Sequence, residues 1–177
     1  MKTYNIFLAS SLGDGLEDDR MAIGNLVRKL NQQLARREVR IALFKCEHAD
    51  DAYNGVGKQT EYNAEIGTSE LFFALFNTHT GAYTIEELNL AEQMRQTQQQ
   101  PRIVVGLRGT ADEETDAVRK MRQRCIEHQT ATFNYHTTDE LLYEFTRQVL
   151  GALGLEEVAT VRDGWLTMGN MRLCKTK

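Results

Sequence analysis

Short apolar runs alternate with stretches of helical periodicity along most of the chain. Tyr4 to Ala9 is nearly all apolar and ends at Ser10-Ser11, the pattern of a strand buried on both faces. After the turn Gly13-Asp14-Gly15, the acids Glu17-Asp18-Asp19 favour a helix start. Ile23, Leu26, Val27, Leu30 and Leu34 then form one apolar stripe at helical spacing. Val39 to Cys46 predicts a second strand, followed by a polar loop from Glu47 to Gly57 and a short helix over 58–67. Leu71 to Phe76 is the most apolar run and predicts a central strand. The next helix carries Ile85, Leu88, Ala91 and Met94 and frays through the glutamine-rich tract before Pro101. A fourth strand spans Arg102 to Leu107, a charged surface helix Glu113 to His128, and a fifth strand Thr130 to Tyr135. Thr138 or Asp139 caps a last helix, with Leu141, Leu142, Phe145, Val149 and Leu153 inward.

Five strands alternating with helices predict an α/β fold with right-handed crossovers. The leading topology is a flavodoxin-like three-layer sandwich, a five-stranded parallel sheet in order 2-1-3-4-5. This rhythm covers residues 1–154. Over 155–177 it breaks: Val158 to Val161, Asp163-Gly164 and Trp165 to Met168 read as a β-hairpin with an Asp-Gly turn, either an extension or the start of a following domain.

Composition narrows the function classes. The chain has 177 residues, is 41% hydrophobic and 26% charged, and carries a net charge of −4. No broad basic field is expected to draw nucleic acid or an acidic membrane. Cys46, Cys125 and Cys174 are scattered, and neither they nor the four histidines show metal-ligand spacing. With no apolar run of membrane-spanning length and a strand at the amino terminus, the expected location is cytoplasmic. No metal and no resident cofactor are expected.

Two phosphate motifs fail on inspection. Gly57-Lys58 lacks the earlier glycine, replaced by Ala52, and the following Ser or Thr, replaced by Gln59. Gly13 and Gly15 lack the third glycine of a dinucleotide fingerprint, since position 18 is Asp18. What survives is the crevice where strand order reverses, beyond the ends of strands one and three. It is expected to gather the segment Ser10-Ser11-Leu12-Gly13-Asp14 with the segment Asn77 to Tyr83. Glu86 and Glu87 are expected in the first turn of the helix that follows. Adjacent helical residues point about 100° apart, so only one can face inward. Glu87, in line with Tyr83 and Ala91, is that one, and Glu86 faces solvent.

Residues in chain order then suggest a family. Ile6-Phe7-Leu8-Ala9-Ser10-Ser11, Gly57-Lys58 opening a helix that ends Ile66-Gly67-Thr68-Ser69, the strand Leu71 to Phe76, and Glu87-Leu88-Asn89-Leu90-Ala91 together resemble a divergent bacterial TIR-like domain. The related nucleoside deoxyribosyltransferases share a similar glutamate motif. The resemblance covers about half the chain. It implies that Glu87 is the catalytic carboxylate of an NAD⁺ glycohydrolase or cyclase that releases nicotinamide, with NAD⁺ as substrate, in signalling or defence. A deoxyribosyltransferase-like N-glycosidase and a non-catalytic self-association module are the alternatives. Ser10 and Ser11 would bind ribose or phosphate oxygens. Asp19 and Arg20 are candidates for the rim, against the simpler reading of a solvated helix face. Tyr62 and Tyr83 are candidates to stack on a base, against ordinary packing. Ser69 is expected to cap a backbone group. The loop Glu47 to Gly57 corresponds, by the same resemblance, to one that mediates self-association.

Overall fold

The computed structural model describes residues 1–11, 13–45 and 63–176. Its main sheet is formed by β1 (Lys2–Ser10), β2 (Val39–Lys45), β3 (Leu71–Phe76), β4 (Arg102–Arg108) and β5 (Ala131–Tyr135) in the order β2-β1-β3-β4-β5. The helices are α1 (Glu17–Leu34), α2 (Ala82–Gln98), α3 (Asp116–Glu127) and α4 (Thr138–Leu153). The expected α/β fold and strand order are therefore present. Residues 63–68 are also helical, the described end of the predicted short helix. The loop Glu47 to Gly57, Gly57-Lys58 and Tyr62 lie outside the described residues.

The apolar runs become the inner strands for the reason the sequence suggests. All six residues of β3 are buried, as are Ile6 to Ala9 of β1. A strand covered on both faces cannot alternate with polar residues. Phe7 stacks on Phe72 with ring centroids 5.4 Å apart and on Phe44 at 5.2 Å. The fully buried Phe7 and Phe72 each contribute roughly 1.5–3 kcal/mol, and Phe44 is partly buried against them.

By internal contacts the described chain forms two compact units. One comprises Met1–Thr3, Asp18–Ile41 and Tyr135–Lys177, the other Tyr4–Glu17 and Ala42–Asn134. In the first, the predicted stripe of α1 is buried at Ile23, Leu26, Val27, Leu30 and Leu34. The Asn31 side chain brackets Ile41, donating to its carbonyl at 2.9 Å and accepting its N–H at 2.7 Å. The cap of α4 is Thr137, one residue before the expected pair, with its hydroxyl accepting from Glu140 N–H.

The predicted C-terminal hairpin forms as β6 (Ala159–Arg162) and β7 (Trp165–Met168). Asp163 and Gly164 both have positive φ, 49° and 73°, as the tight turn requires. A third strand, β8 (Met171–Lys175), completes an antiparallel sheet in order β6-β7-β8. The sequence reading stopped short of it because only five residues with weak alternation mark it.

Candidate active site

The ends of β1 and β3 lie at one level. Parallel register sets Ser10 beside Leu75, so Ser10-Ser11 and Phe76-Asn77 leave the sheet side by side. Two residues of the first connection then fix the second. The Ser11 hydroxyl accepts the Gly81 N–H at 2.7 Å and lies 3.5 Å from the Thr84 hydroxyl. An added Cβ on Gly81 would fall 2.3 Å from Ser11 Oγ, so only glycine permits this approach. Asp14 does more. Its carboxylate accepts from Asn77 N–H at 2.9 Å, Thr78 N–H at 2.9 Å, the Thr78 hydroxyl at 2.5 Å and His79 N–H at 3.3 Å. His79 Nδ1 stands 2.9 Å from the same group.

Asp14 falls in the crevice segment expected from the sequence but has no role assigned there, because Gly13-Asp14-Gly15 reads as a polar turn. The signal was present. A carboxylate between two positive-φ glycines, here 75° and 70°, is set to cap backbone N–H groups. Its partners, 63 to 65 positions away, were not visible.

Helix α2 starts at Ala82 with Gly81 as its cap residue, so no acid falls in its first turn. Glu86 and Glu87 instead occupy the second turn. Glu86 is exposed, while Glu87 is buried on the face that also carries Thr84, Leu88, Ala91 and Glu92. Buried carboxylates are held by polar partners, and at Glu92 Arg124 donates at 2.6 Å while His128 Nδ1 stands 3.0 Å away. Glu87 sits one turn after Thr84, which itself meets Ser11, and Thr84 and Glu87 are thus buried residues of the same helix.

The remaining predicted residues have different surroundings. Ser10 is buried at the end of β1, and its hydroxyl has no hydrogen-bond partner among the described residues. Tyr83, in the first turn of α2 and expected in line with Glu87, is 59% exposed while Glu87 is buried. Asp19 and Arg20 do not sit on a solvated helix face; both are buried. Asp19 accepts from Tyr135 OH at 3.0 Å and from Thr138 Oγ1 at 2.7 Å. Those bonds give it a structural role in the first unit, joining α1 to the start of α4. Ser69 donates to the Glu65 carbonyl at 2.7 Å, the backbone cap expected of it. Among the described residues no cluster of His, Cys, Asp and Glu has the make-up of a metal site, and no helix is long and apolar enough to cross a membrane.

No family model matches the chain, and no curated protein matches it. Of solved structures, 210 chains match, so the architecture is widespread and selects no single chemistry. Among them is the Clostridium botulinum CMP N-glycosidase, similar at 15% identity over 81% of this chain and 98% of that one, with a TM-score of 0.47. That likeness assigns no activity and no substrate.

Proposed function

We propose that this chain cleaves the N-glycosidic bond of a nucleoside-type substrate, with Glu87 as the reacting carboxylate. The observation that carries the reading is the burial of Glu87 on the α2 face that meets Ser11 through Thr84, at the sheet's switch point. Ligands of open α/β sheets settle there. Breaking a bond between ribose and a good leaving base builds positive charge on the sugar. A carboxylate held out of bulk water stabilises that charge more strongly than one in solvent. The same carboxylate orients a ribose hydroxyl, or attacks the anomeric carbon if the route is covalent. Ser10 Oγ, buried and without a partner among the described residues, has a donor to offer a ribose or phosphate oxygen.

NAD⁺ is the first substrate to test, because the ordered resemblance ending at Glu87-Leu88-Asn89-Leu90-Ala91 points to nicotinamide release. Deoxynucleosides and pyrimidine nucleotides are the second. The experiment is incubation of concentrated protein with NAD⁺, with CMP and with a deoxynucleoside plus a second free base, following free base by chromatography. Release from NAD⁺ supports the glycohydrolase reading, and base exchange supports the transferase-like one. Concentration-dependent association with no release from any of them leaves a self-association module and overturns the enzyme.

A further inference from the structure

The C-terminal sheet has two chemically opposite faces. In antiparallel pairs, directly opposed residues project to the same side. Register sets Arg162 opposite Trp165 and Trp165 opposite Lys175, and in the next row Thr160 opposite Thr167 and Thr167 opposite Arg172. One face therefore carries Trp165, Thr160 and the three cations, with Thr167 buried in the same row. The other carries Leu166, Met168 and Cys174, all buried, beside Val161, which is 56% exposed, on a sheet whose β8 packs against α4.

The polar face is organised around the indole. The Arg172 guanidinium carbon lies 5.2 Å from the Trp165 ring centroid and Lys175 Nζ lies 5.7 Å from it. Thr167 Oγ1 donates to the Thr160 carbonyl at 2.9 Å, which locks the neighbouring row. Arg162, Arg172 and Lys175 are exposed and Trp165 is half-buried. Neither row holds an acid; Asp163 sits in the turn beyond, and Asp139 accepts the Lys175 backbone N–H rather than its ammonium.

We propose that this face binds single-stranded nucleic acid, with one base stacked on Trp165 and its flanking phosphates on Arg162, Arg172 and Lys175. Such strands are held by an aromatic platform set among cations. An acidic peptide satisfies the charges but gives the indole no role, and a duplex offers no unstacked base. The net charge of −4 does not oppose this. Charges farther away than a Debye length of about 8–10 Å are screened, so the three local cations dominate at this face.

Trp165 is the only tryptophan, so its emission reports on this face alone. The test titrates an oligothymidylate of roughly 12 nucleotides into the full chain, within the range of single-strand site sizes. Expected is saturable quenching whose affinity falls with salt at a log–log slope of about −2, the value for three phosphate contacts. Arg172→Ala and Lys175→Ala should each weaken binding and make the slope shallower by about 0.7. Labelled-oligonucleotide anisotropy with Trp165→Ala should show at least about fivefold weaker binding. The proposal is overturned if the unmodified chain shows no saturable quenching at about 50 mM salt, a condition that favours phosphate contacts. It is also overturned if oligoglutamate or a matched duplex quenches equally well.

Discussion

Ser11 and Gly81 meet so closely that the hydroxyl of one fills the space where a side chain on the other would begin. The Gly81 N–H donates to Ser11 Oγ at 2.7 Å, and an added Cβ would lie 2.3 Å from that oxygen. Gly81→Ala should therefore destabilise the fold by ~1–3 kcal/mol, the usual cost of overpacking. Ser11→Gly removes the obstructing atoms, so the double variant should lose less stability than the sum of the two singles. Urea unfolding of the four proteins checks this, and strict additivity would contradict the contact.

Asp14 is predicted to matter more than its place in a glycine-flanked turn suggests. Asp14→Ala leaves the N–H groups of Asn77, Thr78 and His79 without their acceptor. A loss of about 2–3 kcal/mol is expected, since unsatisfied buried donors cost 1–3 kcal/mol and some will find water. Asp14→Asn keeps one acceptor oxygen and should lose less. A loss within ~0.5 kcal/mol for the alanine variant, the range of ordinary surface changes, would deny the anchoring role.

Asp19 is predicted to act on stability and not on substrate affinity. Tyr135→Phe removes one hydroxyl that donates to it and should cost about 1.5–3 kcal/mol, as for other hydrogen bonds to charged groups. Thr138→Val removes another. The two losses should be coupled through the shared carboxylate. A KM change in Tyr135→Phe with unchanged unfolding would return Asp19 to the substrate's vicinity.

Two thiols should be inert at neutral pH. Burial pushes Cys125 up to about 11, with Glu92 adding to the rise and Arg124 opposing it. Burial pushes Cys174 up to about 12, with Asp139 adding and Lys29 opposing. The thiolate is the reactive form, so iodoacetamide at neutral pH should spare both in the native chain and modify both in urea. Reactivity of either should rise only as pH approaches the raised values. Fast native labelling of Cys125 or Cys174 would show that its cover is absent.

The sequence carried the sheet because buried parallel strands leave long apolar runs, and Leu71 to Phe76 can be little else. The inward direction of Glu87 and outward direction of Glu86 followed from helical geometry, even though the helix starts earlier than expected. What escaped was the pairing of distant polar groups. Asp19 and Tyr135 are 116 positions apart, and nothing local marks a carboxylate that will be buried against a phenol. Asp14 looked like turn chemistry because its partners lie across another connection. Strand β8 was hidden by its length of five residues and by the irregular register between Leu166 and Thr167 on the strand it joins.

The central claim rests on what one side chain does. The most direct measurement is free-base release from NAD⁺ by the unmodified chain and by Glu87→Gln, with thermal unfolding followed on both. The account predicts release that falls at least about 100-fold in the variant while the melting transition stays cooperative, as when one transition-state electrostatic partner is removed. Release from NAD⁺ at the same rate in both proteins would contradict it.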